Sequence, residues 1–202
     1  MPDGSDAGDF GTWLDLTLAA LPVNGPSDVP CGTCIACCSA AQFVHVEPTD
    51  QAALARIPAE LLFPAPGLPE GHRVLGYDRL GRCPMLSDSG CTIYADRPAA
   101  CRAYDCRVFA ATGVSLEESS KRGIQARVDG WKFAITSESD AQRWVALRAA
   151  AGFLKGWEET AGWPAPARAL AALRIHSLFK AGSPGGRPDA AQVRAELGLS
   201  SR

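Results

Sequence analysis

The apolar positions of the chain fall into two periods. Phe10, Trp13, Leu14, Leu18 and Leu21 recur at helical spacing, and Pro22, Asn24, Gly25 and Pro26 end that run. Residues 1–9 are acidic, lack any period and read as a loose lead-in; residues 22–30 read as loop. Phe43-Val-His-Val46 is a short β-rich run and predicts a strand. Thr49 suits the N-cap of a helix through Ile57, with Asp50 and Gln51 in its first turn, and residues 58–62 add a further turn. Pro64, Pro66, Gly67, Pro69 and Gly71 then make a long loop.

Val74–Tyr77 predicts a second strand. Residues 82–86 and 91–94 predict a hairpin about the turn Ser87–Gly90, carrying Cys83 and Cys91. Pro98 suits the first position of a helix, with Cys101 on its first turns and Cys106 near its end. Downstream, Ser115–Val128 reads as a polar helix and residues 130–135 as a strand. Ser137 or Ser139 caps a long helix through Leu154, with Trp144, Leu147, Ala151 and Leu154 on one stripe. A helix over Ala165–Phe179, a Gly-Ser-Pro-Gly-Gly loop (182–186) and a short helix from Asp189 to about Leu197 follow.

The predicted class is α+β: a small cysteine-rich, metal-centred fold with short strands and a hairpin, plus packed C-terminal helices. The predicted organisation is an N-terminal helix and linker (1–27), a cysteine-cluster metal-binding domain (28–108), and a mainly helical extension (109–202) packed on it.

Composition narrows the function classes. At 202 residues the chain is long enough to bury a core, so small size alone does not call for metal. A net charge of −2 and the lack of a Lys/Arg run argue against a nucleic-acid partner. The acidic start is unlike a secretory signal, and no run approaches the ~18 apolar residues of a membrane span. The expectation is a cytoplasmic protein with no membrane partner, whose thiols are kept reduced.

That expectation decides how to read the cysteines. All eight lie in the first 106 residues: Cys31, Cys34, Cys37 and Cys38 within eight positions, then Cys83, Cys91, Cys101 and Cys106. Disulfides suit neither a reducing compartment nor a chain of this size. Inert core cysteines would not crowd four into eight positions. Metal coordination accounts for the crowding, because two cysteines separated by two residues can face one ion across a tight turn, and Gly32 and Gly90 permit such turns.

Adjacent side chains diverge, so Cys37 and Cys38 serve different ions, or bridge, or only one of them ligates. Eight thiols suit two four-cysteine sites, or one iron–sulfur cluster with thiols to spare. Cys31-x2-Cys34-x2-Cys37 is like the opening of a ferredoxin run, and Cys83-Pro84 is like its close, but four-thiolate zinc is equally compatible. Thiolates exclude calcium and magnesium.

Arginines from Arg73 to Arg107 interleave with aspartates. Of these, Arg97 and Arg102 are the candidates to stand beside the sulfurs and offset their charge. His45, His72 and His176 are each isolated and read as structural or surface residues; Tyr94 and Tyr104 read as cover for the core. Neither a glycine-rich cofactor loop nor a nucleophile–base signature is found, and the catalytic residues, if any, are unknown.

The combined motif Cys31-x2-Cys34-x2-Cys37-Cys38, Cys83-Pro84-x-Leu86, Gly90-Cys91-x-Ile93-Tyr94, Arg97-Pro98-x2-Cys101-Arg102-x-Tyr104-x-Cys106 resembles the CxxCxxCC family, described as chelating zinc or iron. The resemblance covers about residues 28–108. It implies that Cys31, Cys34, Cys37, Cys38, Cys83, Cys91, Cys101 and Cys106 are the chelating set, in one or two sites. The implied cofactor is zinc or iron, with an iron–sulfur cluster open, and the implied partner is a metal ion. Flagellin lysine methylases carry a similar cluster, so an alternative is an iron–sulfur-dependent enzyme acting on protein side chains, lysine N-methylase-like. A third reading is an interaction module shaped by metal, presenting the loop at 64–71.

Overall fold

The computed structural model describes residues 5–23, 25–27, 29–180 and 188–199; the Gly-Ser-Pro-Gly-Gly stretch at 182–186 lies outside them. Strand β1 (Ser5–Asp9) runs into helix α1 (Phe10–Ala20). A loop bearing the first four cysteines leads to β2 (Val44–Val46), α2 (Gln51–Arg56), β3 (Leu62–Pro64) and β4 (Arg73–Leu75). A minimal hairpin, β5 (Leu86–Ser87) and β6 (Gly90–Cys91), is followed by α3 (Ala99–Ala103), α4 (Arg107–Thr112) and α5 (Arg122–Gly130). Strand β7 (Trp131–Ala134) precedes α6 (Glu138–Gly156), α7 (Ala165–Ile175) and α8 (Ala190–Leu197). The fold is α+β, as the periodicity predicts.

The chain divides into two compact units, neither continuous in sequence. One holds Ala20–Asp105 and Glu117–Arg127; the other holds Met1–Ala19, Cys106–Leu116 and Val128–Arg202.

The second unit is mainly helical. Ser137 caps α6 by accepting the Asp140 N–H at 3.1 Å, and Asp189 and Gln192 form a reciprocal capping box on α8. Helices α6 and α7 pack on each other and bury Ala146, Ala150 and Ala151 on one, Ala169, Ala171 and Ala172 on the other. Such small side chains keep the interaxial distance short. Leu147, Leu154, Leu173 and Ile175 are fully enclosed beside them. A ring cluster of Phe10, Trp13, Phe133 and Trp144 meets at centroid distances of 4.9–6.1 Å.

The lead-in expected to be loose is instead β1, paired in parallel with β7 (Ser5 opposite Trp131, Asp9 opposite Ala134) across an irregularity at Ala7. Ala7 is buried there, and its carbonyl accepts a bond from the buried Arg107 guanidinium at 3.3 Å. This pairing overrides a polar local sequence because the backbone, rather than the side chains, supplies the contact.

The first unit is built on a three-stranded antiparallel sheet in the order β2-β4-β3, with His45 and Phe63 both opposite Val74. Alternation along the strands sends Val46 and Leu75 to one face, where they bury with Ala53, Ile57 and Ile93. Cys83, Met85 and Cys91 pack against that cluster.

Several boundaries differ from the sequence reading. Asp50, not Thr49, occupies the N-cap of α2, and the side chain of Asp50 is committed elsewhere. The hairpin is shorter than expected, and Cys83 stands before it in a turn closed by the Leu86 N–H on the Cys83 carbonyl at 3.0 Å. Helix α3 stops at Ala103 because Tyr104 adopts an extended conformation, so Cys106 begins α4 rather than ending α3. Residues 115–118 are not helical; a 3-10 turn at Ser119–Lys121 leads into α5.

Candidate metal centre

The first four cysteines sit on a loop with almost no regular structure, so backbone bonds must set its path. The Cys34 N–H reaches the Cys31 carbonyl at 2.9 Å, closing a tight turn in which Gly32 takes φ +55°. Cys37 and Cys38 lie on a 3-10 turn with their sulfurs 4.0 Å apart. Lys121 donates to the Ala40 carbonyl at 2.8 Å and Arg127 to the Pro30 carbonyl at 3.2 Å. The segment 117–127 therefore clamps both ends of the cysteine loop.

The later cysteines are brought to this loop by separate contacts within the same unit. The Cys83 N–H donates to the Cys38 carbonyl at 2.7 Å. Cys91 lies on β6 after Gly90, which takes φ +108°. Cys101 lies on α3, and the end of that helix is tied to the chain before Cys31 by Ser27, through its N–H on the Arg102 carbonyl at 2.8 Å and its hydroxyl on Asp105 at 2.7 Å. None of the eight cysteines is in a disulfide, and all are half-buried.

Electrostatics show which thiols share a neighbourhood. Accepting a hydrogen bond from Cys38 holds the Cys37 thiol below its ordinary range, and the same bond, then burial, then the charges of Cys37, Cys83 and Cys91 push Cys38 up. Burial, followed by Cys37 and Cys34, raises Cys31. Burial also raises Cys83, where Cys91 and Cys37 add to it. Cys101 is pushed up to about 12 by burial and then by Cys37, Cys83 and Cys91. Cys37 is thus a neighbour of thiols from three stretches of sequence. Without a cation, these groups resist becoming thiolates together.

The donor set fits a soft or borderline ion: thiols only, reduced, half-buried, and repelling one another as anions. Among the described residues, no three His, Cys, Asp or Glu side chains stand grouped as an ion would hold them.

Cys106 belongs to the mainly helical unit. Its sulfur accepts the indole N–H of Trp131 at 3.2 Å, a donor of the kind that stabilises a thiolate.

The two arginines singled out from sequence do different things. The guanidinium of Arg97 lies 4.0 Å over the Tyr94 ring and donates to the Tyr94 carbonyl at 2.7 Å. Its charge favours the thiolates of Cys31, Cys37 and Cys101. Arg102 instead bonds the Arg97 carbonyl and reaches the Asp50 carboxylate at 3.3 Å. Tyr94, expected to cover the core, is half exposed beneath Arg97.

Sequence reasoning missed three features. Asp50 is buried and accepts the Glu47 N–H at 3.0 Å and the Ala99 N–H at 2.9 Å, so one carboxylate joins the start of α2 to the start of the Cys101 helix. Lys121 and Arg127 hold the cysteine loop from far along the chain, a pairing no local spacing signals. The third is a histidine pair: His45 and His72, each isolated in sequence, meet at 2.9 Å. His176 is buried in the other unit, with Nδ1 2.7 Å from the Leu173 carbonyl, and burial lowers its pKa.

No helix among the described residues is long and apolar enough to cross a membrane. Neither a curated protein nor a solved structure matches the chain. One family does match, over residues 30–123, a span that contains all eight cysteines: this segment belongs to the CxxCxxCC family, described as "Putative zinc- or iron-chelating domain".

Proposed function

We propose that the protein chelates zinc or iron through thiolates, with Cys31, Cys34, Cys37, Cys38, Cys83, Cys91 and Cys101 as the donors of one unit and Cys106 as the eighth family position. One observation carries this reading: the sulfurs of Cys37 and Cys38 stand 4.0 Å apart and the Cys38 carbonyl accepts the Cys83 N–H at 2.7 Å, so cysteines from separate stretches of chain meet at one turn. A bound cation would offset the repulsion among these sulfurs and supply folding free energy. The protein's own part is to deliver the thiols, exclude some water by half-burial, and place the Arg97 guanidinium where it favours thiolate.

The test is metal content, acid-labile sulfide and the visible spectrum of protein purified without oxygen, for the wild type and for Cys34→Ser and Cys101→Ser. The expected result is stoichiometric zinc or iron in the wild type and less in both variants. Colourless zinc protein supports closed thiolate sites. Brown protein with iron and sulfide keeps the chelation reading and moves its chemistry toward redox or group transfer. Wild-type protein that holds no metal with its thiols reduced, or variants that load normally, would overturn the proposal.

A further inference from the structure

We propose that the outer face of the β2-β4-β3 sheet docks a short apolar segment of a partner protein, one that carries a carboxylate beside its apolar side chains. The face follows from strand alternation. Val46 and Leu75 point into the core, so the alternate residues of the same strands point away from it. Those are His45, Val74 and Phe63, side by side across the three strands. Phe43 and Tyr77 extend the face, with their rings 5.1 Å apart. A Cβ on Gly76 would stand 3.5 Å from Phe63 Cε2 and 3.8 Å from Phe43 Cε1. Two rings, one on β3 and one just before β2, therefore converge over a residue with no side chain. Water meets 66% of Phe43, 55% of Phe63 and 43% of Tyr77. A single exposed apolar residue is ordinary, but three aromatic rings gathered on one face mark a site of contact.

The chain beside these rings is held in shape. The Asp78 carboxylate accepts the Leu80 N–H at 2.8 Å and the Arg82 N–H at 2.9 Å. The Gly81 carbonyl accepts the Ala41 N–H at 2.8 Å, which ties this turn to the segment leading into Phe43. Yet the turn presents Leu80, 68% exposed, and the exposed Arg79 to solvent. Aromatic rings and arginine are the side chains that most often anchor interfaces, and ordering them beforehand lowers the cost of binding.

Area and charge say what covers the face. At about 150–250 Å² for a whole aromatic side chain, the exposed parts of the three rings come to roughly 250–400 Å². A stable interface between folded chains buries about 800 Å² on each. The face therefore suits a few side chains of a short segment rather than a second copy of this chain. Arg82 is paired with Asp78, whereas Arg79 has no ion pair among the described residues, so the turn offers one positive charge to its occupant. An acidic side chain next to the apolar ones answers that charge.

The probe is a phage library of random linear peptides, panned against the full chain under reducing conditions. Affinities of the enriched peptides are then read by fluorescence anisotropy. These peptides should combine apolar side chains with Asp or Glu. Phe43→Ala and Phe63→Ala should each weaken binding roughly ten-fold or more, and Arg79→Ala about three-fold, the last effect fading at high salt. All three positions are exposed, so the variants should fold like the wild type by circular dichroism. Val145→Ala, 65% exposed on α6, is the control and should bind unchanged. No enriched peptide, peptides without acidic residues, or affinities that the folded variants leave at the wild-type value would overturn the site. So would a dimer that Phe63→Ala dissociates, or a single-stranded oligonucleotide that binds through the same rings, because each is a different occupant.

Discussion

The two units of this chain are stabilised in opposite ways. The mainly helical unit encloses Phe10, Leu14, Phe109, Leu147, Leu154, Leu173 and Ile175 almost completely, and side chains cap the starts of α6 and α8. The cysteine-bearing unit gathers its buried apolar side chains around Val46, Ala53, Ile57, Leu75 and Ile93 and leaves Phe43, Phe63 and Leu80 more than half exposed. Its regular elements are short: strands of two or three residues and helices of five or six. Elements this short cannot persist by propensity, and a small core returns little hydrophobic free energy. Half-buried thiols occupy positions where the helical unit has leucine and alanine. The lesson is that fold and chemistry are separable here: packing holds one unit, and on the proposed reading the other leans on what its sulfurs bind.

Metal removal is the largest way to test that contrast. Chelator under reducing conditions should destabilise the cysteine-bearing unit by several kcal/mol or more, since thiolate metal sites of this kind carry folding free energy on the order of 10 kcal/mol. Hydrogen exchange on the full chain should then show protection lost across β2, β4 and α3 and kept across α6 and α7. Uniform loss, or none, would break the comparison. Leu147→Ala approaches it from the other side. Leu147 is fully buried, so its truncation should cost about 2–5 kcal/mol. That loss should appear in the protection of α6 and α7 with metal content unchanged.

Asp50→Ala is a smaller and more local probe. The buried carboxylate accepts two backbone N–H groups and meets Arg102, so its loss leaves donors unsatisfied just after β2 and at the start of α3. The expected cost is about 1.5–3 kcal/mol, confined to the cysteine-bearing unit, with weaker metal retention because α3 carries Cys101. Metal retention equal to wild type would show that α3 is positioned by the metal alone.

Much of this was legible in the chain itself, for reasons that can be named. The helical unit reads from its 3.6-residue stripe, and Leu147, Ala151 and Leu154 bury as that stripe requires. Helix ends marked by a side chain, Ser137 and Asp189, were legible too. Gly32 and Gly90 adopt the positive φ angles that turns beside cysteines demand. The zinc- or iron-chelating family was legible because ligand spacing is a local signal. What stayed hidden is non-local. Nothing in residues 5–9 announces a partner at Trp131, and nothing at Asp50 announces α3. The histidine pair needs the register of β2 against β4, which places two residues 27 positions apart side by side.

The finest probe is Gly32→Ala. At φ +55° an alanine is strained by about 1–2 kcal/mol, and no atom within 4 Å obstructs its Cβ, so the backbone alone is tested. Gly32 lies inside the turn that sets Cys31 relative to Cys34. If the thiols of this loop are ligands, relaxing that strain must move them, and the cost should appear as roughly a ten-fold weaker metal affinity in competition with a chromogenic chelator. The melting of the metal-free protein should change little, because without an ion the turn is free to relax about residue 32 while its ends stay clamped at Pro30 and Ala40. If instead the loop is a surface turn unrelated to metal, affinity will stay at the wild-type value while the metal-free protein loses the full strain energy. One conservative change thus decides whether the Cys31–Cys34 turn belongs to the metal or only to the fold.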